Sequence, residues 1–511
     1  MTIGANCEMI AKRLGYMTPE RKSRWPLLVL ISSFFSFGLL AQAPQSNSYH
    51  DPNLNVVKAQ ALQHPSSYAF LKELSDGIGP RLTGSVEDSR AAEWALQTMH
   101  AIGLQYVHAE PWHLEHSWKR GFACAQLLSP FPLELTVTSY GWAGSTPTGG
   151  VEAEVIEVNS NALSDEVGRS AARWAGKVLL LVPKDPKQGD MLGTISQMPD
   201  FLSAARKAGA VAVLGRDPRP GMMLVHTGPL GFPGRSSILP VLDIAAEHEA
   251  LIRRILEEGK PVRLKVEVQN GFTPGAVVSN NIVGEIPGTQ QPEQIVILGA
   301  HLDSWDLGTG AIDDGFGVAA VLGAAKSIVA SGVKPHRTIR TVLFTGEEQG
   351  LLGSRAYVQE HQAEADSVLC ALVLDWGNGP ITKYLFSGHD EFAAPLQDLI
   401  NSVADVAAVR TGNGYLTYTD AYAFILAGIP GITPFQDSPN YTLIGHSAAD
   451  TLDKVEADIL ERDSALLALS SLWIADYPTT IGRHWSPEKT AQMLSEQRTA
   501  LRALGLWPFS Q

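Results

Sequence analysis

"QIVILGAHLDSWDLGTGAIDDGFGVAAVLGAAKSIVAS", Gln294 to Ser331, decides the fold. Its first part, "IVILGA", is a continuous apolar run of strand length, as expected for a strand buried on both faces. Its last part, rich in small apolar residues, reads as a helix. Between them one histidine and four aspartates crowd a glycine-rich loop. The same strand and helix alternation continues downstream: "RTIRTVLFTG", "LLGSRAYVQEH", "SVLCALVLDW", "EFAAPLQDLINSVADV", "GIPGITPFQD" and "KVEADILERDSALLALSSLWIADY". Apolar strands separated by helices imply an α/β fold with a mainly parallel sheet flanked by helices. In such sheets chemistry gathers where the strands end.

Imidazoles and carboxylates recur at that edge. His301 ends one strand, Glu347 and Glu348 follow another, Asp375 a third, and "GHSAADT" offers His446 and Asp450. Each has a plain alternative. A lone strand-end histidine is more often a hydrogen-bonded loop residue. Glu347 and Glu348 could favour a helix N-terminus, and Asp313 and Asp314 could form a turn or a helix cap. These alternatives weaken when all the groups converge on one sheet edge. Clustered carboxylates repel one another unless cations or protons intervene, so a metal site is the economical reading. His, Asp and Glu without Cys favour zinc or another divalent first-row ion. Asp313 has two oxygens and could bridge two ions, one taking His301 and Asp375, the other Glu348 and His446, the distribution remaining open. His336, His361 and His389 lack such company and read as surface or packing residues.

Outside this region the texture differs. Residues 65–125 read as helices and loops around "GIGPRLTGS", and residues 130–275 as short β-type runs with one helix at "PDFLSAARKAG". The 511 residues exceed one ordinary core, and 45% hydrophobic with 18% charged content is that of a globular chain with large cores. A net charge of −14 gives no basic footprint, which argues against a nucleic-acid partner. Arg21, Lys22 and Arg24 precede "PLLVLISSFFSFGLL" and "AQA", the pattern of an export signal with no stable membrane span after processing. Translation from Met17 would shorten an otherwise long leader. Cys124 and Cys370 could form one disulfide or remain two buried thiols. The tail "SPEKTAQMLSEQRTALRALGLWPF" is helical in pattern and could pack on the catalytic domain or on a second copy of the chain, so a homodimer is a candidate state.

The ordered set "HLDSW", "GAIDDG", "TGEEQGLLGS", an aspartate after an apolar strand, and "GHSAADT" resembles the two-zinc exopeptidases of the bacterial aminopeptidase type, and most of all their plasma glutamate carboxypeptidase (carboxypeptidase Q) branch. "RLTGS" resembles the family's N-terminal loop and residues 130–275 a protease-associated insert. The implied organisation is a signal peptide (1–43), an N-terminal part of the catalytic domain (44–128), a β-rich protease-associated insert (129–275), the main zinc peptidase domain (276–485) and a helical tail (486–511). The resemblance makes His301, Asp313, Glu348, Asp375 and His446 the ligands of two zinc ions, with Asp313 bridging. It makes Glu347 the general base and Asp303 the acid that orients His301. It leaves Asp306 and Asp314 without a ligand role, and implies a cis peptide bond between Asp313 and Asp314. Tyr418, Thr419 and Asp420 are the exposed candidates at the substrate pocket, Asp420 either holding a substrate α-amino group or capping the helix after it. The expected function is an exported, periplasmic or extracellular exopeptidase acting on short unblocked peptides as aminopeptidase or dipeptidase. A one-zinc glutaminyl-peptide cyclotransferase and a receptor-like relative with a decayed site are the rivals. The bridging Asp313 counts against the first, the complete ligand set against the second.

Overall fold

A computed structural model describes residues 51–184, 191–216, 219–225 and 239–509. The leader expected over 1–43 lies outside the described residues. Eight strands form the first sheet: β1 Gln105–Leu114, β2 Val277–Ile286, β3 Gln291–His301, β4 Arg337–Phe344, β5 Val368–Val373, β6 Ile381–Leu385, β7 Arg410–Gly412 and β8 Gly431–Gln436. Their order across the sheet is β1-β2-β4-β3-β5-β8-β6-β7. The four middle strands β4, β3, β5 and β8 run parallel; β2 adjoins them antiparallel on one side and β6 on the other, with β7 parallel to β6.

The period-two geometry of a strand explains the apolar runs. Val296, Leu298 and Ala300 of β3 face one core with the helices Phe316–Ser331 and Ala457–Asp476, while Ile295 and Ile297 face a second core with Tyr357 and Phe424. Both faces are covered, so both alternating sets are apolar. The small residues of helix Phe316–Ser331 have a packing reason: a Cβ on Gly323 would come within 2.1 Å of Ser67 Oγ and 2.6 Å of Ser464 Oγ.

The second sheet is also eight-stranded and carries cores on both faces. Its order is Leu133–Leu135, Trp118–Ser129, Arg263–Phe272, Val151–Asn159, Lys177–Val182, Ala212–Arg216, Val241–Ile244 and Val137–Ser139. It curls until Arg120 on the second of these strands donates to Ser139 on the last. The helix Met191–Lys207 contains the expected "PDFLSAARK".

Two segments differ from expectation. Gln105–Leu114 and Trp118–Ser129 are strands, not helices and loops, so the second sheet begins with residues placed before the 129 boundary. The first is an edge strand with Pro111 and a mostly exposed surface, and the second mixes Gly and Ala with lysine and arginine; neither carries a clean alternation. Tail residues Pro487–Met493 and Arg498–Ala503 are helical, and Leu494, Leu501, Leu504 and Leu506 pack on Leu351, Tyr422, Ile425 and Leu426 beside the first sheet. Cys124 and Cys370 are unbonded, Cys370 being buried in β5. His361 stacks on Tyr357 and His389 on Trp485, as packing residues would. Among the described residues no helix is long and apolar enough to cross a membrane.

Candidate metal centre

The parallel strands deliver their ends to one place. His301 is the last residue of β3 and lies beside Phe344, the last of β4; Glu347 and Glu348 follow within four residues, and Asp375 stands two residues beyond β5. His446 arrives on the loop after β8, beyond the short helix Tyr441–Ile444. All these side chains are buried except that of His446, which is 34% exposed.

Asp313 sits between two sets. Its Oδ1 lies 3.0 Å from His301 Nε2 and its Oδ2 2.9 Å from His446 Nε2. His301 Nε2 is also 3.7 Å from Asp375, and His446 Nε2 3.2 Å from Glu348. Among the described residues, His301–Asp313–Asp375 and Asp313–Glu348–His446 are the groups whose donor atoms converge tightly enough to share an ion. Two donors about 2.0–2.1 Å from one zinc at the tetrahedral angle lie about 3.3 Å apart, so the spacing suits metal-ligand edges. Glu348 Oε1 and Asp375 Oδ2 are buried without hydrogen-bond partners. The donor set therefore fits divalent ions.

The electrostatics agree. Burial, with Asp313 adding to it, pushes Glu348 up to about 7, and Asp375 is raised from the usual carboxylate range by burial and by Asp313. Both histidines are held well above their ordinary value, the carboxylates outweighing burial. His446 and His301 outweigh burial at Asp313 and hold it low. The protein alone takes up protons where cations would sit, and metal binding would displace them.

A support layer fixes the loop. His301 Nδ1 is 3.0 Å from the Asp303 carbonyl and 3.6 Å from its carboxylate. That carboxylate accepts from Thr83 Oγ1 at 2.7 Å and from Glu347 N at 3.3 Å, tying two strand ends together. Arg81, fully buried, donates to the carbonyls of Gly79, Leu302, Thr309 and Gly310. Gly310 is left-handed with φ 59°, and any Cβ there would meet Ser304 at 2.3 Å. Asp450 accepts from the amides of Ile312 and Asp313. Asp314 accepts from His301 N and Gly317 N, and Asp306 pairs with Arg120; both serve the loop. The Asp313–Asp314 bond is cis.

Glu347 is buried beside this cluster, and its carboxyl accepts no hydrogen bond among the described residues; burial and the Asp375 charge raise its pKa well above normal. Thr419 and Asp420 are not exposed: they are 2% and 0% accessible, because the helix Ala421–Leu426 drives them into the core. Asp420 does not cap that helix; burial pushes its carboxyl up to about 8, outweighing the pull of the neighbouring Ser354 hydroxyl. Tyr418 is half-buried beside tail residues Leu501, Leu504 and Leu506. Tyr441, which sequence reasoning missed, donates its hydroxyl to Asp313 Oδ2 at 2.6 Å. It stands five residues before His446 with nothing in its spacing to mark it. Arg81 and Thr83 fall in the "RLTGS" loop, where only the resemblance gave a signal.

A mainly parallel sheet with this acidic, histidine-bearing edge suits a metal-dependent hydrolase, and comparison with known proteins makes the chain a metallo-exopeptidase. The model of "Peptidase family M28" matches residues 281–470. Carboxypeptidase Q of Bos taurus is 31% identical over 421 residues, covering 82% of this chain and 87% of that one; the Homo sapiens protein is 30% identical over 422 residues with the same coverage. The chain belongs to peptidase family M28. The crystal structure of a peptidase M28 precursor from Shewanella amazonensis SB2B is similar at TM-score 0.75 and 32% identity, covering 85% of this chain and 99% of that one. A zinc aminopeptidase from Bacillus subtilis shares the fold at TM-score 0.62 and 20% identity, covering 81% and 97%.

Proposed function

We propose that this chain is an exported two-zinc exopeptidase that hydrolyses short unblocked peptides, as an aminopeptidase or dipeptidase. The observation that carries this reading is the division of Asp313, one oxygen toward His301 and the other toward His446. In this reading His301, Asp313 and Asp375 would hold one ion, and Asp313, Glu348 and His446 the other. Bound there, the ions would supply Lewis acidity toward the scissile carbonyl and lower the pKa of water.

The remaining work belongs to the chain. Glu347, with no hydrogen bond to occupy it, is placed to accept a proton from water and return it to the leaving amine. Asp303 holds the first strand end to the Glu347 amide and so fixes the base relative to His301. Tyr441 orients Asp313 as a neutral donor, because burial and the Asp313 charge keep its phenol protonated. Thr419 and Asp420, enclosed as they are, take no direct contact with substrate in this reading; Asp420 acts through its charge on Glu347, and Tyr418 is left as the candidate for the pocket wall. The second sheet is read as a protease-associated insert, and residues 1–43 as the signal that delivers the protein to the periplasm or the medium.

Two zinc ions per mature chain, with turnover on free dipeptides or aminoacyl amides but not on N-blocked ones, is the expected result. Glu347→Gln should keep both ions and lose about 10²–10⁴-fold in turnover. A single ion per chain, or a Glu347→Gln variant of ordinary activity, would refute the reading.

A further inference from the structure

Two of the loops that carry metal-site groups are held from the second sheet's side, one by a strand of that sheet and the other by the segment 219–225 that lies beyond its strand Ala212–Arg216. Arg120, on the strand Trp118–Ser129, grips Asp306 in the loop between His301 and Asp313: its Nε lies 3.1 and 3.0 Å from the two carboxylate oxygens, and Nη2 2.7 Å from Oδ1. Nη1 is engaged with Thr138 and the Ser139 carbonyl, and the guanidinium lies over Trp118. Side-chain exposures of 13% and 16% make this a shielded, forked ion pair rather than a solvated one.

The other loop is held separately. Arg219 Nη1 donates to the Gly445 carbonyl at 2.7 Å, and Val225 forms an antiparallel bridge with Ser447, so His446 is flanked on both sides. Val225 is in turn anchored by its amide to Asp243 of the strand Val241–Ile244. His446 has φ 57°, a conformation that a non-glycine residue keeps only where its surroundings enforce it. An aromatic path runs in parallel: Trp118 stacks on Trp142, Trp142 meets Trp305 edge-on, and Trp305 meets His446 edge-on. The loops also touch each other, since a Cβ on Gly308 would lie 2.5 Å from the Asp450 carbonyl and 2.7 Å from that of Ser447.

Resting on the two-ion reading, we propose that the second sheet is a positioning element for the metal centre: Arg120 through Asp306, and Arg219 through Gly445, hold the His301–Asp313 and His446 loops at one separation. Asp313 can face both histidines only when the loops keep that spacing. The contacts fall on the loops and not on the ligands themselves, so their loss loosens the paired site while leaving every donor present.

Equilibrium competition between the full-length protein and a chromophoric chelator reads zinc affinity without reference to activity. Arg120→Ala and Arg219→Ala should each weaken the more loosely held ion about tenfold, and the double variant more. Arg219→Lys, which keeps one donor for the Gly445 carbonyl, should recover most of the loss. The exchange Arg120→Asp with Asp306→Arg should bind zinc better than either single change. Wild-type affinity for both ions in the Arg120→Ala, Arg219→Ala double variant would overturn the proposal. So would loss that neither Arg219→Lys nor the exchange repairs. Failure of the two-ion reading itself is distinct, because the unaltered protein would then bind fewer than two ions.

Discussion

Asp463 lies in the helix Ala457–Asp476, outside the metal cluster, with no exposed surface; its carboxylate takes the Ile381 amide and the Gln436 side chain. Burial raises its pKa to about 8 despite those donors. The unfolded value is about 3.9. Between these two values the folded chain holds a proton that the unfolded chain has lost. Stability from this group is therefore full below about pH 4 and falls as pH rises toward 8, by up to about 1.4 kcal/mol per unit. Asp463→Asn removes the titration. Urea unfolding should show the variant gaining on the parent by at least about 1 kcal/mol between pH 6 and pH 8; a constant difference would show that the carboxyl is already ionised in the fold. Individual residues were legible in the sequence to different degrees for a physical reason. His301, Glu347, Glu348 and Asp375 directly follow apolar strands, so topology alone gathers them. Tyr441 and Arg81 act through contacts 128 and more than 200 residues away in sequence, which no local pattern encodes.

Elements buried on both faces were the readable ones. β3, β4 and β5 advertise themselves as apolar runs because each side meets a helix layer. Gln105–Leu114 is an edge strand, and its identity depends on pairing with β2 rather than on its own residues. The tail was readable as helix, but its partner was not, since an apolar stripe does not name the surface it covers. Leu501 is 1% exposed within that stripe, packed with Leu351 and Tyr422. Leu501→Ala should cost about 2–5 kcal/mol by leaving a cavity. Because the tail also lines Tyr418, KM should rise in this variant while zinc content stays unchanged, a split that peptide kinetics and metal analysis together resolve.

At the scale of the molecule the centre joins three stretches of chain, the "RLTGS" loop, the first sheet and the second sheet. Ions bound in the proposed manner belong to the folded chain only, so they stabilise it; a site loaded at a hundred times its Kd gains about 2.7 kcal/mol. Stripping zinc with a chelator should lower the melting temperature. The drop should be larger at pH 8 than at pH 6, because Glu348 binds a proton below about 7 and competes with the ion. Calorimetry of loaded and stripped protein at both pH values checks this, and an equal drop would detach Glu348 from the ions.

Arg81 reaches across 221 positions to the Leu302 carbonyl, and β1 pairs with a strand that begins at Val277. A ribosome thus makes the first helices long before their partners exist. Until residues beyond 300 have emerged, Leu71, Leu74 and Met99 have no sheet to cover, and they belong to the core that the later strands complete. A nascent chain halted before Val277 should therefore leave residues 51–114 open to protease, while the second sheet, whose eight strands all lie between Trp118 and Phe272, already has every strand it needs.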